Sequence, residues 1–247
     1  MAKLEWLNRP IAHRGLHDEA KGIVENTASA FQAAVNAGYA IEFDVQEAGD
    51  GAAIVFHDST LDRLMEASGP VIALGFEQLK RINFKNVSDR LQTLPEVLEL
   101  IAGRVPVLIE IKSNWRMRGP FEAELAQILK AYDGRAAVMS FDPNAVAAFA
   151  GHAPGFPRGF LAGPFRNPQY WGHLSRWQRF RMRHLLGAFI ARPHFVAYDI
   201  EGLPSLAPLI WRRALNRTLL AWTVRSEPER QRAQRWADAM IFEGFRP

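Results

Sequence analysis

The chain has 247 residues, of which 48% are apolar and 23% charged, with a formal net charge of +4 and no cysteine. This composition is typical of a folded globular protein and excludes wholesale disorder, and the length is compatible with one large α/β domain. The lack of cysteine excludes a disulfide framework, a thiolate nucleophile, zinc held by sulfur and cysteine-ligated iron–sulfur clusters.

The charge is distributed unevenly along the chain. Residues 1–142 carry 20 acidic and 15 basic side chains, whereas residues 143–247 carry 6 acidic side chains and 15 arginines. No carboxylate stands between Asp142 and Asp199, a stretch that contains seven arginines. Binding of an anion through a basic surface is therefore expected in the second half of the chain.

The sequence lacks the usual signals for export or membrane insertion. Glu5, Asn8 and Arg9 interrupt the apolar stretch that a secretion signal would need near the start. No run of 18 apolar residues occurs, so no membrane-spanning helix is predicted. These features favour a cytoplasmic protein.

Short apolar runs alternate with helical patterns along most of the chain. The predicted strands are 10–13, 40–46, 105–111, 136–140, 158–162, 194–198, 218–224 and 238–242. A further short strand, 53–57, is expected to pair locally. The helical segments are 26–37, 95–102, 120–132, 143–150, 203–215 and 227–237. This α/β alternation predicts a (β/α)8 TIM barrel in a single domain, 1–247, and a doubly wound open sheet is the alternative.

One segment departs from this alternation. Residues 163–193 combine six arginines with several aromatic side chains, and we interpret them as a small insertion on the barrel. Within the insertion, apolar residues at helical spacing predict an amphipathic basic helix over 174–190. Two interpretations of this Arg/aromatic-rich helix stay open: peripheral contact with an anionic membrane, or a barrel-covering helix with a solvated basic face.

Two predicted strands carry charged side chains on one face. Alternation along 40–46 places Glu42 and Asp44 on the face opposite the apolar residues. The later strand repeats the pattern with Glu110 and Lys112. In a barrel these side chains face inward, and three carboxylates gathered there suit a hard cation such as Mg²⁺ or Ca²⁺. An internal salt-bridge network balanced by the lysine is the alternative.

Histidines end two of the predicted strands. His13 ends the first strand and is followed by Arg14, and His57 ends the short strand 53–57. A histidine at a barrel mouth can act as a general acid or base near neutral pH, and an arginine can hold a phosphate through two hydrogen bonds. A single histidine is more often structural, but a position beside the carboxylates favours a catalytic role.

The charged and histidine positions belong to a set of short motifs. In chain order, the motifs are His13-Arg14-Gly15, Glu25-Asn26-Thr27, Ile41-Glu42-Phe43-Asp44-Val45, Val55-Phe56-His57-Asp58, Leu61-Asp62-Arg63, Ile109-Glu110-Ile111-Lys112 and Ala221-Trp222-Thr223-Val224. This set resembles the glycerophosphodiester phosphodiesterase family. The resemblance implies a barrel hydrolase of lipid and glycerol metabolism. Its expected reaction is the cation-dependent hydrolysis of glycerophosphodiesters to glycerol 3-phosphate and an alcohol.

The resemblance also implies roles for individual residues in the reaction. By their positions in the motifs, Glu42, Asp44 and Glu110 are similar to the family's metal ligands. His13 and His57 are similar to its acid/base pair.

The same resemblance implies the residues that bind the substrate. Arg14 and Lys112 would hold the phosphate, and Glu25 would steady the site. Trp222, near the end of a late strand, would form an apolar wall beside the glycerol.

Two positions depart from the family pattern. Glu243, within Phe242-Glu243-Gly244-Phe245, stands where the family usually has a Thr-Asp pair, and Arg225 stands where asparagine is common. We interpret both positions as lying on the substrate side of the site. They would then leave the reaction unchanged and affect the choice of alcohol.

Three functions are compatible with parts of the sequence. The first is hydrolysis of small diesters such as glycerophosphocholine or glycerophosphoethanolamine. The second is the same chemistry in a lysophospholipase D that works at a membrane through 174–190. The third, nucleic-acid binding by the arginine-rich half, leaves the acids and histidines without a role and has no recognised motif. The expected partner is therefore a small-molecule glycerophosphodiester and no nucleic acid.

Overall fold

One sheet contains all the strands of the described residues. The computed structural model describes residues 4–113, 119–166, 171–172 and 174–247. The strands are β1 (Ile11–Ala12), β2 (Ala40–Glu47), β3 (Ala53–Val55), β4 (Val107–Ile111), β5 (Ala136–Ser140), β6 (Arg158–Ala162), β7 (Phe195–Asp199), β8 (Thr218–Val224) and β9 (Ala239–Phe242).

The sheet closes into a barrel. β1 pairs in parallel with both β2 and β9, which joins the two ends of the sheet. β2 pairs in parallel with β4, and the remaining parallel pairs follow chain order up to β9. Of the described strands only β3 is antiparallel, and it pairs with the end of β2 as expected. Eight parallel strands therefore form the predicted (β/α)8 barrel, and the open-sheet alternative is wrong.

Helices connect the strands and pack on the barrel. They are α1 (Ala28–Ala37), α2 (Phe76–Leu79), α3 (Leu94–Ile101), α4 (Pro120–Lys130), α5 (Pro143–His152), α6 (Arg176–Arg183), α7 (Ala188–Ala191), α8 (Leu206–Leu209) and α9 (Glu227–Trp236). Prolines lie in the first turns of α3, α4, α5 and α9, where a missing N–H costs no intrahelical bond. None of the helices in the described ranges has the length and apolar character that a membrane crossing requires.

Alternation along the strands separates an outer core from the barrel interior. On β2, Ile41 and Phe43 are fully buried in the outer core, beneath the helices. Ala40 on β2 and Leu108 on β4 belong instead to the interior cluster. Because every second side chain shares a face, the charged residues further along both strands point into the barrel mouth.

The helix predicted over 174–190 is in fact two helices. Ser175 starts α6 by accepting a hydrogen bond from the Gln178 N–H at 3.1 Å, and the helix ends at residue 183. Leu185 then takes a positive φ of 58°, and α7 begins only at residue 188. A left-handed residue reverses the chain locally, so one helical period cannot continue through it.

The predicted apolar face of that helix is divided as well. Leu174 and Met182 are buried in the core. Trp177 and Phe189 are 63% and 81% exposed, although their spacing predicted a place on the buried face. The segment therefore does not bury one continuous apolar face, and large apolar side chains of both helices lie at the surface.

The segment 163–193 connects β6 to β7. Its last part, α7, packs against α5 and β6 and so belongs to the helical layer of the barrel. Residues 167–170 and residue 173, which fall within the expected insertion, lie outside the described residues. The helix predicted over 203–215 is also divided, into α8 and a π-helical turn at Ile210–Ala214.

Candidate active site

The turn after β1 brings the first site residues over β2. Arg14 and Gly15 have positive φ angles of 53° and 81°. A Cβ at Gly15 would lie 2.8 Å from the Cβ of Ala30, so this position accepts only glycine. The Arg14 backbone N–H donates to Glu42 Oε2 at 3.0 Å. The tight turn therefore explains why glycine follows His13 and Arg14 in the sequence.

The three predicted metal ligands lie together. One oxygen from each of Glu42, Asp44 and Glu110 lies within 4.8 Å of the others. All three residues are buried, and Asp44 pairs directly with Glu110 in the β2–β4 register. Parallel strands that end at the same edge therefore gather the carboxylates as the sequence predicted.

The buried carboxylates differ in their tendency to ionise. Burial and the neighbouring charge of Asp44 raise the pKa of Glu42 well above its usual value. Burial acts in the same direction on Asp44, but the charges of Lys112, His57 and Arg14 outweigh it and hold the pKa of Asp44 low. Like charges this close cannot all be stabilised without a further positive charge.

Lys112 balances part of this acidic cluster. Its Nζ donates to Glu110 Oε1 at 2.6 Å. It also forms an ion pair with Asp44 Oδ1 at 2.9 Å, without hydrogen-bond geometry. Burial favours a neutral amine, but the two carboxylates outweigh it and raise the pKa of Lys112. The lysine is therefore a permanent cation at the mouth.

The remaining oxygens of the cluster fit a metal ion. Glu42 Oε1 is buried and has no hydrogen-bond partner among the residues described. A buried polar atom without a partner is costly, and a carboxylate oxygen in this state suits a hard cation such as Mg²⁺ or Ca²⁺. The alternative salt-bridge network pairs Lys112 with Asp44 and Glu110, and leaves this oxygen unpaired.

His13 is held by a carboxylate from the last strand. His13 Nδ1 is hydrogen-bonded to Glu243 Oε2. Because an ionised carboxylate only accepts, Nδ1 carries the proton, and Nε2 is left 3.9 Å from Glu42 Oε2. Burial lowers the pKa of His13, although the bond to Glu243 acts in the opposite direction. Nε2 of a neutral His13 can therefore accept a proton.

The two departures from the family pattern meet in one ion pair. Arg225 Nε lies 2.6 Å from Glu243 Oε1, the carboxylate whose other oxygen holds His13. Burial raises the pKa of Glu243, but the interactions with His13, His17 and Arg225 outweigh it and leave that pKa low. Glu243 therefore contacts a candidate catalytic histidine and Arg225 contacts Glu243, and their effect on the choice of alcohol stays a prediction.

Glu243→Gln is expected to lower kcat about 10–100-fold, the range found when a carboxylate that orients a functional histidine is lost. The amide keeps the size of the side chain but no longer fixes the proton on Nδ1 of His13. Steady-state kinetics and a thermal unfolding curve provide the measurement. Glu229→Gln is the matched control. It also removes a carboxylate that binds Arg225, because Glu229 accepts from the Arg225 backbone N–H at 2.6 Å. An unchanged kcat in Glu243→Gln would show that His13 needs no such support.

His57 is held in the same way as His13. Its Nδ1 lies 2.6 Å from Asp58 Oδ1, and Arg63 Nε donates to Asp58 Oδ2 at 2.6 Å. Burial raises the pKa of Asp58, but these two contacts outweigh it and hold that pKa low. The ionised carboxylate fixes the proton on Nδ1, so Nε2 of His57 is available for proton transfer. The sequence interpretation missed this role of Asp58, which stands next to the histidine.

Glu25 lies between two arginines. Arg14 Nη1 and Arg63 Nη2 both donate to Glu25 Oε1 at 2.7 Å, and Arg63 Nη1 donates to Oε2 at 3.0 Å. Burial raises the pKa of Glu25, but the two guanidinium groups outweigh it and lower that pKa. Glu25 therefore holds Arg14 and Arg63 in place, and its part in substrate binding stays a prediction.

Arg63→Met is expected to destabilise the fold by about 1–2 kcal/mol at pH 7, between the values for surface and buried ion pairs. The folded-state pKa values of Glu25 and Asp58 are lowered. Their interactions with Arg63 therefore stabilise the fold above the ordinary pKa values of about 4, and this stabilisation is lost as pH falls below them. Urea unfolding at pH 7 and near pH 3 tests this. The difference from wild type should shrink in acid, whereas Arg81→Met, an exposed control, should show no difference at either pH.

Asn26 is a site residue that the sequence interpretation missed. Its Nδ2 donates to Asp44 Oδ2 at 2.8 Å, and its Oδ1 accepts from the Asp44 N–H at 3.3 Å. Asn26 has a positive φ of 56°, a conformation that asparagine tolerates better than most residues. The signal in the sequence was its position between Glu25 and Thr27, in one of the motifs that resemble the family pattern.

Trp222 lies on the other side of the mouth. Its Nε1 donates to the Ala197 carbonyl at 3.1 Å, so the indole lies across β7. The ring packs edge-on against Phe141 at a centroid distance of 5.3 Å. The position fits an apolar wall, and contact with glycerol stays a prediction.

The fold and the mouth together define the class of this protein. It is a (β/α)8 barrel whose mouth combines three buried carboxylates, two carboxylate-held histidines and a charged lysine. The sequence model of the glycerophosphoryl diester phosphodiesterase family matches residues 13–245. The chain therefore belongs to this family of phosphoric diester hydrolases.

Two curated relatives show the extent of the similarity. A glycerophosphodiester phosphodiesterase of Caldanaerobacter subterraneus subsp. tengcongensis is 35% identical over 161 residues, which are 61% of this chain and 65% of that protein. The alignment thus spans slightly less than two thirds of the relative. The Bacillus subtilis protein YhdW is 31% identical over 228 residues, which are 88% of this chain and 86% of that protein.

Solved structures share the fold. A phosphodiesterase of Oleispira antarctica, in complex with the product sn-glycerol-3-phosphate, has a TM-score of 0.79 at 21% identity, and the match covers 98% of this chain and 95% of that one. A glycerophosphodiester phosphodiesterase of Thermotoga maritima has a TM-score of 0.71 at 22% identity, with 94% and 93% covered. At these identities the likeness concerns the fold.

Proposed function

We propose that this protein hydrolyses glycerophosphodiesters to glycerol 3-phosphate and an alcohol, with a divalent cation and a histidine pair. The main support is that the carboxylates Glu42, Asp44 and Glu110 lie together at the barrel mouth that also carries the two histidines. His13 and His57 are each held by a carboxylate through Nδ1. The relatives support the proposal, because one is named for this activity and the Oleispira antarctica enzyme holds sn-glycerol-3-phosphate as its product.

The cation would be held by the carboxylates Glu42, Asp44 and Glu110. When bound, a divalent cation such as Mg²⁺ or Ca²⁺ supplies positive charge that polarises the phosphoryl group and offsets negative charge developing in the transition state. The unpartnered Oε1 of Glu42 supports a cation at this place.

Lys112 and Arg14 would bind the phosphate. The Lys112 side chain is 22% exposed, so its ammonium can reach a ligand while it contacts Asp44. Arg14 uses Nη1 for Glu25, and its Nη2 makes no hydrogen bond to another described residue. Two cations fixed by buried carboxylates orient the scissile bond without a large loss of side-chain freedom.

His13 and His57 would move the protons. Nε2 of one histidine takes the proton from the nucleophile as its oxygen forms a bond to phosphorus. The other histidine starts as the imidazolium, and its Nε2 gives a proton to the alcohol oxygen as the P–O bond to that oxygen breaks. Water as the nucleophile gives glycerol 3-phosphate directly, whereas a glycerol hydroxyl gives a cyclic phosphodiester that a second attack, by water, opens to glycerol 3-phosphate. Each carboxylate partner stabilises the imidazolium that forms and keeps the reacting nitrogen fixed.

A substrate panel with metal add-back tests this proposal. EDTA-treated protein is given glycerophosphocholine, glycerophosphoethanolamine or glycerophosphoglycerol, and glycerol 3-phosphate is measured before and after Mg²⁺, Ca²⁺ or Mn²⁺ is added. We expect release only with a cation. Release that persists in EDTA would remove the cation from the proposal, and no release with any cation or diester would remove the activity.

We further propose that residues 1–247 act as one domain with 163–193 as an addition to it. β1 lies near the start of the chain and β9 near its end, and their pairing closes the barrel. Because both ends supply strands that carry site residues, neither half of the chain would hold the complete site. Separately expressed halves should therefore be inactive.

A second candidate is lysophospholipase D activity at a membrane surface. Trp177 and Phe180 stack at a centroid distance of 5.4 Å and are 63% and 46% exposed. They share α6 with four arginines that form no ion pair with another described residue. A cavity of about 290 Å³ beside α6 is lined by Arg179, Arg183 and Phe165, among others. Exposed rings among unpaired cations favour an anionic lipid surface.

Liposome sedimentation separates the two candidates. The wild type is incubated with phosphatidylcholine vesicles with or without phosphatidylserine at physiological salt, and lysophosphatidylcholine hydrolysis is measured in parallel. Binding to the anionic vesicles that Trp177→Ser weakens, and that Ile72→Ser at an exposed site elsewhere leaves unchanged, supports the membrane candidate. Absence of binding removes it.

A further inference from the structure

The half of the mouth opposite the metal-ligand cluster also carries an acid. Phe195 and Ala197 on β7 belong to the interior cluster, and alternation therefore places Asp199 at the mouth. In the register of β7 and β8, Asp199 pairs with Trp222. β7 and β8 lie across the barrel from β2 and β4. The reaction proposed above does not use Asp199.

Asp199 has one oxygen available for a ligand. Oδ1 accepts from the Glu201 N–H at 2.9 Å. Oδ2 makes neither a hydrogen bond nor an ion pair with any residue in the described part of the chain. Burial raises the pKa of Asp199 to about 6, and Arg225 and Arg166 oppose this only at longer range. The carboxylate thus lies in partly apolar surroundings, and among the described residues no cation pairs with it.

The neighbouring strand leaves room for this carboxylate. Gly163 follows β6, and a Cβ there would lie 2.7 Å from the Asp199 Cβ and 3.4 Å from Oδ2. Any other residue at this position would displace Asp199. Glycine at 163 therefore lets the acid occupy the mouth instead of turning outward.

Aromatic rings surround the rest of this half of the mouth. Phe141, which follows β5, has its ring centroid 4.9 Å from that of Trp171 and 5.3 Å from that of Trp222. The three rings are only partly buried. A glycerol or sugar would need several hydrogen-bonding groups here, whereas aromatic rings at the position paired with a single carboxylate suit a desolvated organic cation.

We propose that Asp199, together with Phe141, Trp171 and Trp222, forms a subsite for the ammonium group of the leaving alcohol. The enzyme then selects diesters of choline-like or ethanolamine-like alcohols over diesters of neutral alcohols. The ammonium meets the carboxylate and the ring faces, whereas a neutral alcohol leaves Asp199 unpaired. Trp222 stands on β8, between β7 with Asp199 and β9, and so lies beside the proposed ammonium subsite. This inference rests on the proposed diesterase function.

The first test is the selectivity of Asp199→Asn. Asparagine keeps the oxygen that accepts from the Glu201 N–H and removes the charge. The ratio of kcat/KM for glycerophosphocholine to that for glycerophosphoglycerol should fall about 10–100-fold, as expected when a desolvated charge loses its partner. Glu201→Gln, an exposed carboxylate two residues away, should leave the ratio unchanged. An unchanged ratio in Asp199→Asn, or no wild-type preference for glycerophosphocholine, would overturn the subsite.

The second test needs no catalysis. Quenching of tryptophan fluorescence is titrated with choline and with 3,3-dimethylbutan-1-ol, which has the same shape without the charge. The wild type should bind choline at least about tenfold more tightly than the neutral alcohol, and Asp199→Asn should lose this difference. Equal affinities in the wild type would refute the subsite. Failure of all diester hydrolysis together with selective choline binding would refute the diesterase function and leave the cation site standing.

Discussion

Glu42→Gln should reduce hydrolysis by about 10³-fold or more and yet leave the metal-free protein more stable than the wild type. The loss of rate follows because the amide removes one of three oxygens that would hold the cation. The gain in stability follows because Glu42 is buried beside Asp44, which raises its pKa and makes its ionised form costly.

The pH dependence of this stability gain has a definite sign. The folded-state pKa of Glu42 is raised, so the neutral carboxyl is tolerated at low pH, and the fold is weakened as pH rises above the ordinary value of about 4.3. The variant should therefore exceed the wild type in Tm at pH 7 but not near pH 4, by about 2–4 °C for each kcal/mol.

Thermal unfolding with EDTA and with added cation provides the measurement. Mg²⁺ or Ca²⁺ should raise the Tm of the wild type much more than that of Glu42→Gln, because binding to the folded state alone stabilises it. Glu99→Gln, an exposed position on α3, is the matched control and should follow the wild type. If cation raised both Tm values equally, Glu42 would not be a ligand.

His13→Asn and His57→Asn should each lose about 10²–10⁴-fold in kcat, the usual contribution of one positioned proton transfer. Both variants should remain folded, because each histidine is bonded through Nδ1 to a single carboxylate and is not a core apolar residue. His152→Asn, at the exposed end of α5, is the control for loss of an imidazole.

A substrate with a good leaving group distinguishes the two histidines. The p-nitrophenyl ester of glycerol phosphate releases an anion that needs no proton, so the variant that lacks the general acid should regain most of its rate on this substrate. The variant that lacks the general base should stay slow on both substrates. Wild-type rates in either variant on glycerophosphocholine would exclude the proposed histidine pair.

The fold was predictable from the sequence because its signals are local. The expected strands 136–140, 158–162 and 218–224 coincide with β5, β6 and β8. Each is a short apolar run between helical patterns, and eight such units are typical of a parallel barrel, whereas the pairing of β1 with β9 is what excludes the open sheet. The predicted single helix over 174–190 is interrupted where Leu185 takes a positive φ, and Trp177 on its first half is exposed.

The carboxylate cluster was also predictable, because alternation is a property of a single strand. Glu42 and Asp44 share a face of β2 whatever the rest of the chain does, and β4 repeats the pattern with Glu110. Their burial and proximity follow from the pairing of two parallel strands that end at one edge.

The partners of the histidines could not be predicted in this way. Glu243 and His13 are 230 positions apart, and they meet only because β9 pairs with β1. Arg63 lies in an irregular segment after β3, and it donates to Glu25, which stands 38 positions earlier in the chain. Such contacts depend on side-chain direction and burial after the chain has closed, and a short window of sequence contains neither quantity.

The sequence by itself determined the barrel class, the inward carboxylates and the residue types available for chemistry, because periodicity and motif identity are local. Tertiary structure alone decided the state of those residues. Closure of the barrel buries Glu42 with no described residue bonded to Oε1, fixes His13 through Glu243, and pairs Asp199 with Trp222. Burial and distance set ionisation and orientation, and both quantities exist only in the folded chain.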